Sequence, residues 1–232
     1  MAHRMHQFDT RAALADALAD RVAAGLQAAI AARGGASLAL SGGSTPKLFF
    51  ETLSTRDIAW DRVTVTLVDE RFVPADHPRS NHLLVSTHLL KDKAAAAHFV
   101  PLYQAAGDAE EAAAIATRET ADLGRPFDVV ILGLGNDGHT ASFFPGGDHL
   151  AEALDLATPR RVMTMQAEGA GEPRLTFSFA ALHDARLLVL HIEGAEKMAV
   201  LEQALAGGDE AAMPIRAVLE RAATAPDIYW AP

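Results

Sequence analysis

The chain has 232 residues, half of them hydrophobic, and can bury a substantial core without disulfide or metal staples. It contains no cysteine, which excludes disulfides, thiolate nucleophiles and zinc–thiolate sites together and fits a reducing cytoplasm. A net charge of −10 argues against nucleic-acid binding. No signal-peptide core opens the sequence, and no apolar run reaches the ~18 residues of a membrane span.

The first element is an amphipathic helix over Asp9–Arg33, with Leu14, Leu18, Val22, Leu26 and Ile30 recurring every four residues. Asp9 or Thr10 is its candidate N-cap and Gly34 its stop. Ala36–Ser41 reads as a buried strand feeding Gly42-Gly43-Ser44-Thr45-Pro46, then a helix over Lys47–Leu53 with Thr45 at N-cap and Pro46 at N1. Val63–Val68 is a second strand, with Asp69-Glu70-Arg71 at its end. The polar stretch His77–His82 leads to a helix near Leu83–Leu90. Phe99–Leu102 is a short strand, and Asp108–Leu123 is a helix ended by Gly124 and Pro126. Phe127–Leu132 is a third strand running into a glycine-rich loop. Strands near Arg161–Met165 and Arg186–Ile192, helices near Ala195–Leu205 and Pro214–Ala222, and a last strand near Asp227–Trp230 complete the chain. The alternation predicts one α/β domain over residues 1–232, a doubly wound, mostly parallel sheet with helices on both faces and ligands at the carboxyl ends of its strands.

Two loops stand out chemically. Ser41-Gly42-Gly43-Ser44-Thr45 lies between a strand and a helix, where glycines admit an anion close to the backbone and hydroxyls, N–H groups and the helix dipole favour phosphate. It lacks the Walker A spacing. Gly133-Leu134-Gly135-Asn136-Asp137-Gly138 matches the dinucleotide fingerprint by letter, but Pro145-Gly146-Gly147 interrupts the helix that fingerprint needs, and no strand ending in a well-placed acid follows. The same loop sets Asp137 two residues before His139, and a histidine there can act as a base at cellular pH. On their own, Asp69-Glu70-Arg71 reads as a solvated charged turn, and Arg174 and Lys197 read as surface cations. No G-x-S-x-G elbow marks Ser142 as a nucleophile. Asp137 with His139, and His77 with His82, lack recognised metal-ligand spacing, so neither metal nor cofactor is expected.

Taken together, these segments resemble the 6-phosphogluconolactonase family. The likeness is carried by Leu40–Pro46, by Val68–Arg71 with Asn81 downstream, by Leu132–Pro145, by Pro173–Thr176 and by Gly194–Lys197. It implies a Rossmann-like fold shared with the glucosamine-6-phosphate deaminases. It also implies hydrolysis of 6-phosphogluconolactone to 6-phosphogluconate, the second step of the oxidative pentose phosphate pathway. By the same likeness, His139 is the base; Ser41, Gly42, Gly43, Ser44, Thr45, Arg174 and Lys197 hold the phosphate; and Asp69, Arg71 and Asp137 surround the sugar. Asp137 would orient or polarise the imidazole, with Asp69 the alternative assistant, and Arg71 would face either developing negative charge or the substrate's hydroxyls. Phe143-Phe144 and Phe177-Ser178-Phe179 replace more aliphatic residues, an expected matter of packing. The partner is then a small phosphorylated sugar lactone, with no nucleic acid or membrane involved, acted on by a cytoplasmic monomer or small homo-oligomer. Two rivals share the fold. An amino-sugar phosphate deaminase would carry a further acid after the histidine, where Thr140–Gly146 has none. A non-catalytic sugar-phosphate sensor would carry a DNA-binding segment, and this chain has no basic helix-turn-helix candidate.

Overall fold

The computed structural model describes residues 3–123 and 125–232. In chain order the elements are β1 (Arg4–Gln7), α1 (Arg11–Arg33), β2 (Ala36–Leu40), α2 (Lys47–Ser54), β3 (Val63–Leu67), β4 (Asp69–Arg71), α3 (Asn81–His88), β5 (His98–Phe99) and α4 (Ala109–Glu119). They continue with β6 (Val129–Leu132), α5 (Leu150–Leu154), β7 (Val162–Met165), β8 (Arg174–Phe177), α6 (Phe179–Leu182), β9 (Leu187–Glu193), α7 (Ala195–Leu205), α8 (Ile215–Arg221) and β10 (Asp227–Ala231).

Seven strands form one parallel sheet in the order β1-β10-β9-β6-β2-β3-β5. Every residue of β2 and β6 is buried, which is why both read as unbroken apolar runs: a parallel sheet is covered on both faces. From β2 the chain winds outward to β3 and β5, then returns to place β6 on the other side of β2. With right-handed crossovers, this reversal puts α1 and α2 on one face and α7 and α8 on the other. It also opens a crevice between the carboxyl ends of β2 and β6, where doubly wound sheets bind ligands.

The helix α1 buries Leu14, Leu18, Val22 and Leu26 with the alanines between them, against α2, β2, β6 and β10. Its N-cap is Thr10, whose hydroxyl accepts from the Ala13 N–H. Gly34, at φ 80°, closes it with an N–H to the Ile30 carbonyl at 2.8 Å. The buried apolar residues from Leu14 to Ala231 form one contiguous cluster.

The structure corrects several sequence expectations. A second, antiparallel sheet, β4-β8-β7, was not expected; its strands have three or four residues, too few to show a period. Asp69-Glu70-Arg71 is therefore not a solvated turn but a paired strand, with Glu70 fully buried. Pro46 rather than Thr45 takes the N-cap position of α2, with helical φ −80° and ψ −1° and no side-chain cap, so the Thr45 hydroxyl is not spent on the helix. The helix α3 starts two residues early because Ser80 caps it, its hydroxyl accepting from Leu83 N–H. The strand expected at Phe99–Leu102 is only His98–Phe99, and the edge strand β1 went unread. Gly124, expected to stop α4, lies outside the described residues. Among the described residues, no helix is long and apolar enough to cross a membrane.

Candidate active site

The switch-point crevice is a cleft of about 260 Å³. Ser41, Gly42, Gly43, Ser44, Thr45, Asp69, Arg71, His139, Arg174 and Lys197 all line it. Asp137 does not line it but stands behind His139. Residues scattered over more than 150 positions of sequence thus meet because their strands end at one edge.

The loop after β6 is built around a histidine–carboxylate pair. Asp137 Oδ1 lies 2.6 Å from His139 Nδ1 and also accepts the His139 backbone N–H at 3.1 Å. An ionised carboxylate only accepts, so Nδ1 carries the hydrogen and Nε2 keeps its lone pair. Burial raises the Asp137 pKa, but the bond from the His139 ring, the ring's charge and the backbone N–H outweigh it, so the carboxyl titrates below its usual range.

Of the three fingerprint glycines, Gly135 makes room for this pair. A Cβ on Gly135 would stand 2.1 Å from His139 Nδ1 and 2.6 Å from Asp137 Oδ1. Gly138 takes φ 82° and lies against Met213. The Gly133 N–H donates to Ser41 Oγ at 3.1 Å, and Thr140 Oγ1 donates to the Gly133 carbonyl at 2.8 Å, so the two loops are clasped.

The loop after β2 is open by contrast. Among the described residues, none accepts a hydrogen bond from the backbone N–H groups of Gly42, Gly43, Ser44 or Thr45. Gly43 takes φ 93°, with nothing within 4 Å of where its Cβ would be. These free donors, beside the start of α2, form a concavity suited to an anion.

The antiparallel sheet delivers the remaining charge. Along β4, alternation points Asp69 and Arg71 into the cleft and Glu70 away. Glu70 accepts from the N–H groups of Arg71, Asn81 and His82 and from Ser80 Oγ, tying β4 to the start of α3; burial nevertheless raises its pKa. Asp69 Oδ2 accepts from Ser142 Oγ at 2.7 Å, so Ser142 is a buried support and not a nucleophile.

Arg71 and Arg174 are direct partners across β4 and β8. Like charges so placed repel unless an anion joins them. Arg174 is buried, not a surface cation as its sequence setting suggested. Among the described residues, its only carboxylate within 4 Å is Asp69, at 3.9 Å, and the Nε atoms of both arginines are buried without a partner. Burial lowers the Arg174 pKa; Asp69 and Glu172 oppose this, while Arg71 and Arg79 add to it. Lys197, on the first turn of α7, donates to Asn136 Oδ1 at 2.5 Å. Burial lowers its pKa against the pull of Asp137 and Glu196.

Three cleft residues had weak or no sequence signals. Asn81 Nδ2 donates to the Asp69 carbonyl, and its side chain fills the space a Cβ on Gly42 would need, 1.8 Å from Oδ1. Phe144 was read as a packing change, yet its ring lies 4.3 Å from the His139 ring and 5.2 Å from the Arg174 guanidinium carbon. His191 sits at the end of β9. A polar residue inside the aliphatic run Leu187–Ile192 was the only available hint of it. The histidines weighed for metal are engaged elsewhere: His77 Nδ1 accepts from Arg79 N–H, and the His82 ring lies against Phe99.

Comparison with known proteins bears on this arrangement. The glucosamine-6-phosphate isomerases/6-phosphogluconolactonase family matches residues 9–230. A 6-phosphogluconolactonase of Rhizobium meliloti is 68% identical over 232 residues, covering 100% of both chains. One from Mesorhizobium japonicum is 52% identical over 99% of this chain and 96% of its own. The crystal structure of a 6-phosphogluconolactonase from Shewanella baltica is 42% identical and superposes with a TM-score of 0.96, covering 100% of this chain and 98% of that one. The chain therefore belongs to the glucosamine-6-phosphate isomerase/6-phosphogluconolactonase family.

Proposed function

We propose that this chain hydrolyses 6-phospho-D-glucono-1,5-lactone to 6-phospho-D-gluconate, with water activated by His139. The observation that carries this reading is one cleft holding both an Asp-oriented imidazole and an under-neutralised set of anion donors. Relatives named 6-phosphogluconolactonase, one of them 68% identical over the whole chain, support it.

In this mechanism His139 Nε2 takes a proton from water as the water oxygen bonds to the lactone carbonyl carbon. Asp137 holds the ring and stabilises the imidazolium that forms. Arg71 faces the negative charge developing on the carbonyl oxygen. That charge then collapses, the ring C–O bond breaks, and the imidazolium returns its proton to the leaving oxygen. Ser41–Thr45, Arg174 and Lys197 hold the phosphate, and Asp69 meets a sugar hydroxyl. Binding at the phosphate end fixes the ring for attack at the far carbon. No step uses a metal or an organic cofactor.

The cleft favours the lactonase over the deaminase reading because Asp69 is the only carboxylate lining it among the described residues. We place the reaction in the cytoplasm, in a single unit spanning residues 1–232 that works as a monomer or small homo-oligomer. The cysteine-free composition fits the reducing compartment. A coupled assay on freshly generated 6-phosphogluconolactone, corrected for spontaneous hydrolysis, tests the function. Turnover no faster than background would overturn it.

A further inference from the structure

We infer that His191, backed by Glu193, is a phosphate-end ligand that hydrogen-bonds the substrate through Nδ1. The inference rests on the reading above that the substrate carries a phosphate. β9 is otherwise aliphatic from Leu187 to Ile192, and burying an imidazole there costs solvation unless its nitrogens are used. One nitrogen is used: Nε2 lies 3.2 Å from Glu193 Oε1, both side chains being nearly inaccessible. The other carboxylate oxygen of Glu193 faces Arg11 Nε at 3.4 Å, so the carboxylate is anchored and acts as acceptor. Nε2 is then the donor, which fixes the ring's orientation.

Nδ1 makes no hydrogen bond among the described residues and is not sealed from solvent, and the residue lines the cleft. A histidine that merely filled the core would have both nitrogens satisfied or enclosed. Its neighbours place it at the anion end. The ring meets the edge of Phe49, on the first turn of α2 immediately after the Ser41–Thr45 loop, at 5.8 Å. Lys197 lines the same cleft from the helix that follows β9. A phosphate oxygen at Nδ1 and Glu193 at Nε2 would flank the ring with two acceptors. The hydrogen bond forms whether imidazole or phosphate owns the shared proton. The site thus has two histidine–carboxylate pairs with different jobs, one facing the reacting carbon and one the distal phosphate.

Two near-isosteric substitutions separate the ring's two nitrogens. Asparagine places a polar atom where Nδ1 stands; glutamine reaches the Nε2 position. His191→Gln, keeping the Glu193 contact, is expected to raise KM for 6-phosphogluconolactone about tenfold or more. It should weaken inhibition by inorganic phosphate equally and lower kcat/KM for unphosphorylated glucono-1,5-lactone far less than for the phosphorylated lactone. His191→Asn is expected to recover most of the phosphate affinity. The reverse order of the two variants, or equal loss on both lactones, would assign His191 a structural role and overturn the proposal. If the wild-type protein does not turn over the phosphorylated lactone, the functional reading falls. Calorimetric titration of wild type and both variants with inorganic phosphate then still decides the role of His191.

Discussion

The two glycine-rich loops at the switch point look alike in sequence and do opposite things. After β2, Gly43 leaves space open and the backbone N–H groups unpaired. After β6, Gly135 clears space that a histidine and an aspartate then fill. In the first loop glycine serves what the backbone can touch; in the second it serves where a side chain can stand. Glycine spacing therefore reports a crowded or an exposed backbone, but not which, and a literal dinucleotide fingerprint can arise from a histidine–aspartate pair.

The sharpest way to break this contrast is at the pair itself. His139→Ala should fold as wild type by circular dichroism and lose ~10²–10⁴-fold in kcat; near-wild-type turnover would remove His139 as the base. Gly135→Ala comes next. Its methyl must displace the partly exposed His139 ring, so kcat should fall towards the His139→Ala value, while denaturant titration shows a loss of about 1–3 kcal/mol.

Gly43→Ala is the matching test in the open loop. Nothing blocks its methyl, so its cost is the left-handed backbone, roughly 1–2 kcal/mol. KM for the phosphorylated lactone should rise with little change in kcat; a kcat defect like that of Gly135→Ala would erase the distinction between the loops. Replacing Arg174 by Gln should likewise raise KM for the phosphorylated lactone more than for glucono-1,5-lactone. Because it also relieves the repulsion with Arg71, thermal stability should hold or rise.

The smallest effect concerns pH. The folded-state pKa of Asp137 is depressed, so its contribution to stability is present above the unfolded value of about 3.9 and is lost as pH falls through the lower folded value. Asp137→Asn should therefore narrow its stability difference from wild type only below about pH 4. With the carboxylate partly exposed, that difference is small. A gap that instead widens on acidification would contradict the geometry of the pair.

Much of this molecule was legible from local pattern. Apolar runs announced β2, β6 and β9, because a strand buried on both faces has no polar side to disguise it, and β-branched content announced β3. Thr10 and Gly34 marked the ends of α1, because caps are local chemistry. The two glycine loops and His139 stood out by composition and by position at strand ends. Tertiary structure decided the rest. The pairing of β4 with β8 joins residues about 100 positions apart, so nothing near Arg174 revealed that it would be buried opposite Arg71. Ser142 and Asn81 gained their roles only by meeting Asp69 and Gly42. Phe144 read as a packing residue and His191 went unmarked until the fold turned them to the cleft. By itself the sequence determined which strands are buried and which loops could carry chemistry. The order of strands in the sheet decided which loops share a cleft, because side chains distant in sequence act together only where the backbone brings their ends to one edge.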